Sequence, residues 1–188
     1  MTLHSVIKPV ILDRDGVINE DSDDYIKSPD EWIAIPGSLS AIAALSGAGY
    51  QVLVATNQSG LGRGLFDEFA LAAMHQKMAG LVEELGGHIQ GVFFCPHAPW
   101  DDCNCRKPRT GLLDAMEAEL GISLTGAPYV GDSLKDLQCA RAKGCRPVLV
   151  LTGKGTQTRS AATDEELADV SIYRDLADFV GDFLGNRE

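Results

Sequence analysis

The sequence predicts an α/β protein with a single doubly wound parallel sheet, Rossmann-like in type, and three observations predict it. Short β-branched runs alternate with amphipathic stretches of helix length. The runs are almost wholly apolar, as strands buried on both faces must be. A chain of 188 residues with 45% hydrophobic content allows one sizeable core, so residues 1–188 are read as one domain.

The strands fall at residues 10–12, 51–55, 92–94, 129–130 and 147–151, each a run of Val, Ile, Leu or an aromatic with few polar interruptions. The helices fall at residues 38–48, 66–84, 111–120 and 134–143, and Gly49, Gly86, Gly121 and Gly144 stand at their ends, where a left-handed residue closes a helix. A weaker strand at 170–173 and a helix at 175–184 finish the chain. Two segments break the alternation. Residues 16–37 are polar and contain Pro29 and Pro36, and residues 95–110 contain Pro96, Pro99 and Pro108. Both exceed ordinary connections of about two to six residues, and loops of that length in compact domains are often functional.

The formal net charge is −11, which repels phosphate backbones and anionic lipid and argues against a general nucleic-acid binder. The deficit is uneven. Residues 13–31 and 160–188 each hold eight carboxylates against two basic residues, which leaves the rest of the chain at +1, able to hold an anionic ligand. No stretch approaches the roughly 20 apolar residues of a membrane span and no signal segment is present, so a soluble cytoplasmic protein without membrane partners is expected, with a monomer as the default.

Five cysteines are an odd number, and Cys95, Cys103 and Cys105 crowd together, which suits metal ligation in a reducing compartment better than a disulfide framework. With His97 they place three thiolates and an imidazole within eleven residues, the donor set of a closed structural zinc site. A chance cluster of reduced thiols is the alternative, and the intervening Ala98-Pro99-Trp100-Asp101-Asp102 has little apolar material to fold the loop otherwise. Zinc there would pin the residues just before Arg106 and Lys107. Cys139 and Cys145 read as core residues, and His75 and His88 have no partner nearby in sequence. His4 reads as terminal or strand-edge.

The strongest chemical signal is Asp13-Arg14-Asp15-Gly16-Val17-Ile18-Asn19, directly after an apolar run. In an open parallel sheet ligands sit beyond the carboxyl ends of the strands, so both carboxylates face the expected site. Alone, the string also suits a solvated Asp-Gly turn. Other strand ends carry complementary groups: Thr56-Asn57-Gln58-Ser59-Gly60 offers hydroxyls and backbone N–H groups, and Gly131-Asp132-Ser133-Leu134-Lys135-Asp136 a further acidic pair. Arg106-Lys107-Pro108 lies between them.

These four motifs, in this order across nearly the whole chain, resemble the haloacid-dehalogenase-like phosphatase superfamily. The resemblance implies that Asp13 is a nucleophile forming an aspartyl-phosphate and Asp15 the general acid and base. Thr56 and Lys107 would hold the transferring phosphoryl. Mg²⁺ would sit on Asp13, Asp132 and the Asp15 backbone carbonyl, with Asp136 either in the metal shell or capping the next helix. Within the superfamily, the Cys-Pro-His and Cys-Arg-Lys-Pro strings are similar to the heptose-bisphosphate phosphatases and to their relatives, the histidinol-phosphate phosphatases. In that branch the zinc loop and the segment after the first strand form a minimal lid, with no cap domain. The first kinship implies a small sugar phosphate substrate on the route to nucleotide-activated heptose and lipopolysaccharide core, and the second implies histidine biosynthesis. Either way the substrate contacts fall on Asp21, Ser22, Asp23, Asp24, Tyr25, Asn57, Gln58, Ser59 and Arg106. Arg63 reads equally as a helix-start residue or a substrate contact. A DNA-end phosphatase, a zinc-containing nucleic-acid module and a catalytically dead scaffold are the remaining alternatives. The charge argues against the first two, and the filled motifs against the third. Gly153-Lys154-Gly155-Thr156 lacks the spacing of a phosphate-binding loop and is expected to be a solvated turn.

Overall fold

The structure is a computed structural model that describes residues 8–185, so His4 and Arg187 lie outside the described residues. Alternating strands and helices form as the apolar runs dictate. The strands are β1 (Lys8–Leu12), β2 (Tyr50–Asn57), β3 (Gly91–Cys95), β4 (Pro128–Gly131), β5 (Arg146–Val150) and β6 (Ser171–Tyr173). They form one sheet in the order β3-β2-β1-β4-β5-β6, and every pairing is parallel. The helices are α1 (Ser38–Gly47), α2 (Ser59–Gly62), α3 (Glu68–Glu84), α4 (Gly111–Leu120), α5 (Leu134–Lys143), α6 (Gly155–Ala161), α7 (Asp164–Leu167) and α8 (Leu176–Gly185).

Strand pleating sorts the core into two layers. Val10 and Leu12 of β1 and Val52 and Val54 of β2 pack with α1, α3 and α8, through residues such as Ile42, Met78 and Phe179. Ile11, Leu53 and Ala55 face the other way, onto Leu113 and Met116 of α4 and Cys139 of α5. The chain runs outward from β1 to β3 with helices on one face, then crosses back to β4 with helices on the other. The strand order therefore reverses between β1 and β4, the switch point where ligands bind in such sheets.

The expected helices at 111–120 and 134–143 match α4 and α5, and the strands run one or two residues longer at some ends than the apolar runs alone suggest. Three short helices were not expected. α2 has four residues and no readable apolar period. α7 carries a capping signature, in which the Thr163 hydroxyl accepts the Glu166 N–H and the Glu166 carboxylate accepts the Thr163 N–H. α6 begins inside the string expected to be a solvated turn, and that expectation is corrected below.

Residues 16–37 form a flap over the end of β1. The Ile35 N–H donates to the Ile18 carbonyl (2.9 Å) and the Glu20 N–H to the Ile33 carbonyl (2.9 Å). Trp32 is 1% exposed, and the Lys77 ammonium of α3 donates to the Pro29 (2.6 Å) and Trp32 (2.9 Å) carbonyls. A polar segment is thus held by buried apolar residues, Val17, Ile18, Ile26 and Ile35 beside Trp32, and by one half-buried cation. No helix among the described residues is long and apolar enough to cross a membrane.

Two α3 substitutions separate the core face from the solvent face. Met78→Ala should cost about 2–5 kcal/mol in urea unfolding, since Met78 is fully buried. Phe69→Ala, at a residue 85% exposed, should stay within about 0.5 kcal/mol. Equal costs would contradict the assignment of faces.

Candidate active site

Three strand ends and one long loop converge at the switch point. Asp13 leaves β1, with its N–H still donating to the Val130 carbonyl of β4 (2.8 Å). Thr56 ends β2, 1% exposed. Asp132 follows β4, and Asp136 sits in the first turn of α5. Lys107 comes from the loop after β3 and reaches Asp13 and Asp136. Its ammonium lies 2.9 Å from Asp13 Oδ1 and 2.7 Å from Asp136 Oδ1, and it donates to the Ala55 carbonyl (2.8 Å).

The charges explain the titration of these groups. Burial pushes the Asp13 carboxyl well above the usual carboxylate range, Lys107 opposes it, and Asp136 and Asp132 add to it. Burial, with Asp136, pushes Asp132 up to about 7, against the pull of the Lys154 N–H. Burial disfavours the Lys107 ammonium, but Asp13 and Asp136 outweigh it and hold its pKa well above the ordinary lysine value.

Asp13, Asp132 and Asp136 present oxygens within 4.8 Å of one another, a group able to hold a metal ion. Three carboxylates against one ammonium leave two uncompensated negative charges in a buried site, a deficit that one divalent cation removes. Asp136 spends its oxygens on protein: Oδ1 faces Lys107, and Oδ2 accepts the Ser133 N–H (3.1 Å) and hydroxyl (2.6 Å) at the start of α5. Of the two roles expected for Asp136, the helix cap is the one these bonds fill. Asp13 Oδ1 is likewise taken, by Lys107 and by the Arg14 N–H (2.7 Å), while its Oδ2 accepts no hydrogen bond from the described residues.

Asp15 sits in a different environment. Arg14, 1% exposed, donates to Oδ1 from Nε (3.0 Å) and Nη2 (2.9 Å), Asn19 donates to Oδ1 (2.8 Å), and Gln58 donates to Oδ2 (2.8 Å). Burial raises the Asp15 carboxyl, yet Arg14 and these donors prevail and hold it below its ordinary value. Gln58 Nε2 also donates to the Thr56 hydroxyl (2.8 Å), and its Oε1 accepts from Arg14 (3.1 Å).

Cys95, His97, Cys103 and Cys105 bring their donor atoms within 4.8 Å, a second group able to hold a metal. A tetrahedral zinc thiolate, with Zn–S near 2.3 Å, separates its sulfurs by about 3.8 Å. Cys95 and Cys103 Sγ stand 3.8 Å apart and Cys95 and Cys105 Sγ 3.1 Å, closer than that separation, and His97 Nδ1 lies 3.6 Å from Cys95 Sγ and 3.2 Å from Cys105 Sγ. Burial pushes the Cys95 thiol up to about 12, helped by Cys105, so a bound cation is what would favour its thiolate.

The cleft above these groups measures 510 Å³, within the range of small-molecule sites. Asp13, Asp15, Thr56, Lys107 and Asp132 line it, together with Asp21, Ser22, Asp23, Tyr25, Asn57, Gln58, Ser59, Arg63 and Arg106. Asp24 does not, and it is exposed instead. Asn57 and Gln58 are at the site, but their amides serve the protein. Asn57 Oδ1 accepts the Lys107 N–H (3.0 Å) and its Nδ2 donates to the Lys107 carbonyl (3.2 Å), clasping that residue's backbone.

Sequence reasoning passed over three residues here. Arg14 stood unassigned inside the strongest motif. His75 lacked a sequence neighbour because its partner is 61 positions away: Nε2 faces Arg14 Nη1 at 3.3 Å. Lys154, in the string after β5 expected to be a solvated turn, lines the cleft, and its N–H donates to Asp132 Oδ2 (2.8 Å).

The comparisons with known proteins agree with this geometry. A family model described as HAD-hydrolase-like matches residues 104–179. The D-glycero-beta-D-manno-heptose-1,7-bisphosphate 7-phosphatase of Pseudomonas aeruginosa is 53% identical over 168 residues, 89% of this chain and 93% of the relative. The enzyme of the same name from Bordetella bronchiseptica is 54% identical over 152 residues, covering 81% and 85%. Among solved structures, the B. bronchiseptica D,D-heptose 1,7-bisphosphate phosphatase, complexed with magnesium and phosphate, superposes with a TM-score of 0.90 at 47% identity, covering 96% of this chain and 99% of that one. A putative HAD-like phosphatase from Mesorhizobium loti gives a TM-score of 0.77 at 33% identity, covering 96% and 85%.

His75 yields a pH prediction. Burial, then Arg14, lower its pKa to about 4, whereas in the unfolded chain it titrates near about 6.5. Between those values the unfolded chain binds the extra proton, so this histidine removes stability as pH falls through that window. His75→Gln should therefore lose less stability than the parent between pH 7 and 4.5 in urea unfolding. Parallel losses would contradict a buried neutral His75.

Proposed function

The chain belongs to the haloacid-dehalogenase-like phosphatases, in the branch of the heptose-1,7-bisphosphate 7-phosphatases, and on that premise we propose that it removes the 7-phosphate of D-glycero-D-manno-heptose 1,7-bisphosphate through a phosphorylated Asp13. The observation that carries the chemistry is the Lys107 ammonium held between Asp13 and Asp136 beneath the cleft. Residues 1–188 act as one phosphatase domain, with the flap and the cysteine loop covering the site, in the cytoplasmic supply of nucleotide-activated heptose for lipopolysaccharide core.

Asp13 Oδ2, free of hydrogen bonds from the described residues, attacks phosphorus. The bond from phosphorus to the sugar oxygen breaks, and that oxygen leaves with a proton from Asp15. Water then attacks the acyl phosphate, Asp15 takes the water proton, and the Asp13 carboxylate and inorganic phosphate are released. One difficult displacement becomes two easier ones. Lys107 and Thr56 hold the phosphoryl oxygens. Mg²⁺ on Asp13, Asp132 and the Asp15 carbonyl would screen the repulsion between a carboxylate and a phosphate. Arg14, Asn19 and Gln58 donate to the Asp15 carboxyl and hold its pKa below the ordinary value, which favours the proton-accepting form. Donation to the leaving oxygen requires substrate to displace part of its shell of Arg14, Asn19 and Gln58.

Arg106 lines the same cleft beside Lys107 and suits the second phosphate of a bisphosphate, as a planar multi-donor cation. Asp21 and Asp23 also line it, and their negative charge favours the ammonium of histidinol phosphate as a second reading. Phosphate release from both anomers of the heptose bisphosphate and from histidinol phosphate, with and without Mg²⁺, separates the two. The expected result is a specificity constant at least tenfold higher for a heptose bisphosphate, lost without Mg²⁺. A higher constant for histidinol phosphate would overturn the reading.

The cysteine cluster is read as structural zinc that positions Arg106 and Lys107. Cys105→Ser should lower the zinc content measured by elemental analysis and reduce kcat/KM, whereas Cys145→Ser should keep both. Full activity in a zinc-free Cys105→Ser protein would contradict that role.

A further inference from the structure

Thr152, Gly153 and Lys154, between β5 and α6, touch both the carboxylate at the end of β4 and the flap. The Lys154 N–H donates to Asp132 Oδ2 (2.8 Å), and the Thr158 hydroxyl donates to the Asp132 carbonyl (2.8 Å). The Thr152 hydroxyl donates to the Gly16 carbonyl (2.6 Å), binding this turn to the loop that carries Asp13 and Asp15.

Two glycines box the same carboxylate. Gly16 and Gly153 have φ of +81° and +53° and pack against each other. A Cβ on Gly153 would fall 2.2 Å from Asp132 Oδ2 and 2.5 Å from Gly16 Cα. A Cβ on Gly16 would fall 2.0 Å from the same oxygen. The turn has no outward room, because a Cβ on Gly155 would lie 1.7 Å from the Val150 carbonyl oxygen. Asp132 Oδ2 is thereby fixed, and its other oxygen accepts no hydrogen bond from the described residues.

The Lys154 side chain points the other way. Its ammonium lies 3.1 Å from Asp21 Oδ2 and 3.8 Å from Asp23 Oδ1, both on the flap. With Lys154 half exposed, this contact biases the flap without locking it.

We propose that this turn is a positioning element of the active site, in which the Gly153–Lys154 backbone aims Asp132 at the divalent cation and the Lys154 ammonium holds the flap over the cleft through Asp21. The metal-facing half rests on the reading, given above, that Asp132 holds Mg²⁺. Neither residue touches the reacting atoms. A glycine is required at 153 because any side chain would displace the carboxylate, and the backbone N–H at 154 works whatever its side chain, so the two halves can be cut separately.

The test is calorimetric titration of Mg²⁺ into magnesium-free protein, with steady-state kinetics beside it. Gly153→Ala should bind Mg²⁺ about tenfold or more weakly, with a melting temperature without Mg²⁺ lowered by the strain of a Cβ at this φ. Should that variant fail to fold, Thr152→Val, which keeps every backbone group, should weaken Mg²⁺ in the same direction. Lys154→Met should bind Mg²⁺ as the parent does but raise KM about threefold, with kcat changing less, and Lys154→Arg should restore KM. Parental Mg²⁺ affinity in folded Gly153→Ala overturns the metal-facing half, and a parental KM in Lys154→Met overturns the flap-holding half. A parent protein that binds no Mg²⁺ instead overturns the magnesium reading, and leaves the flap half to be read by KM alone.

Discussion

One buried ammonium organises the catalytic end of this molecule. Lys107 is 3% exposed and meets an oxygen from each of three elements: Asp13 after β1, the Ala55 carbonyl of β2 and Asp136 of α5. Taking such charges out of water is costly, and removing one partner of a buried pair costs about 3–5 kcal/mol, because the other is left uncompensated. The arrangement is therefore weak evidence for stability and stronger evidence for chemistry, since it keeps three carboxylates close with only one cation among them. A divalent cation is the species that would complete that balance.

The position of Lys107 depends in turn on the loop that carries it. Asn57 clasps its backbone from the end of β2, and the cysteine cluster closes the loop two residues earlier. The parallel order of the sheet does the remainder: because β1 lies between β2 and β4, residues 13, 56 and 132 leave adjacent strands at the same edge. The flap completes the enclosure. Trp32 anchors it in the core while Asp21 and Tyr25 line the cleft.

Much of this was legible in the residues. The sheet followed from apolar runs, and the convergence of Asp13, Asp15, Thr56, Lys107 and Asp132 on one cleft followed from motifs at strand ends, because both signals are local in sequence. Pairings over long separations were not legible. Nothing near His75 announces Arg14, and nothing near Gln58 announces that its amide is spent on Arg14, Asp15 and Thr56 and so serves to position them. Lys154 was misjudged for a related reason: its side chain does resemble a solvated lysine, but its backbone N–H and the preceding glycine touch Asp132. Asp24, grouped with its acidic neighbours by sequence, turns away to solvent because the backbone reverses at Tyr25, where φ is +66°.

The chemistry of this site turns on which atom receives the phosphate. Acid-quenched enzyme, mixed with a heptose bisphosphate labelled in its 7-phosphate and digested for mass spectrometry, should carry the label as an acyl phosphate on Asp13. A label on any other residue, or full turnover with no labelled peptide under conditions that preserve acyl phosphates, would contradict the assignment of Asp13, and with it the role given to the charges gathered around Lys107.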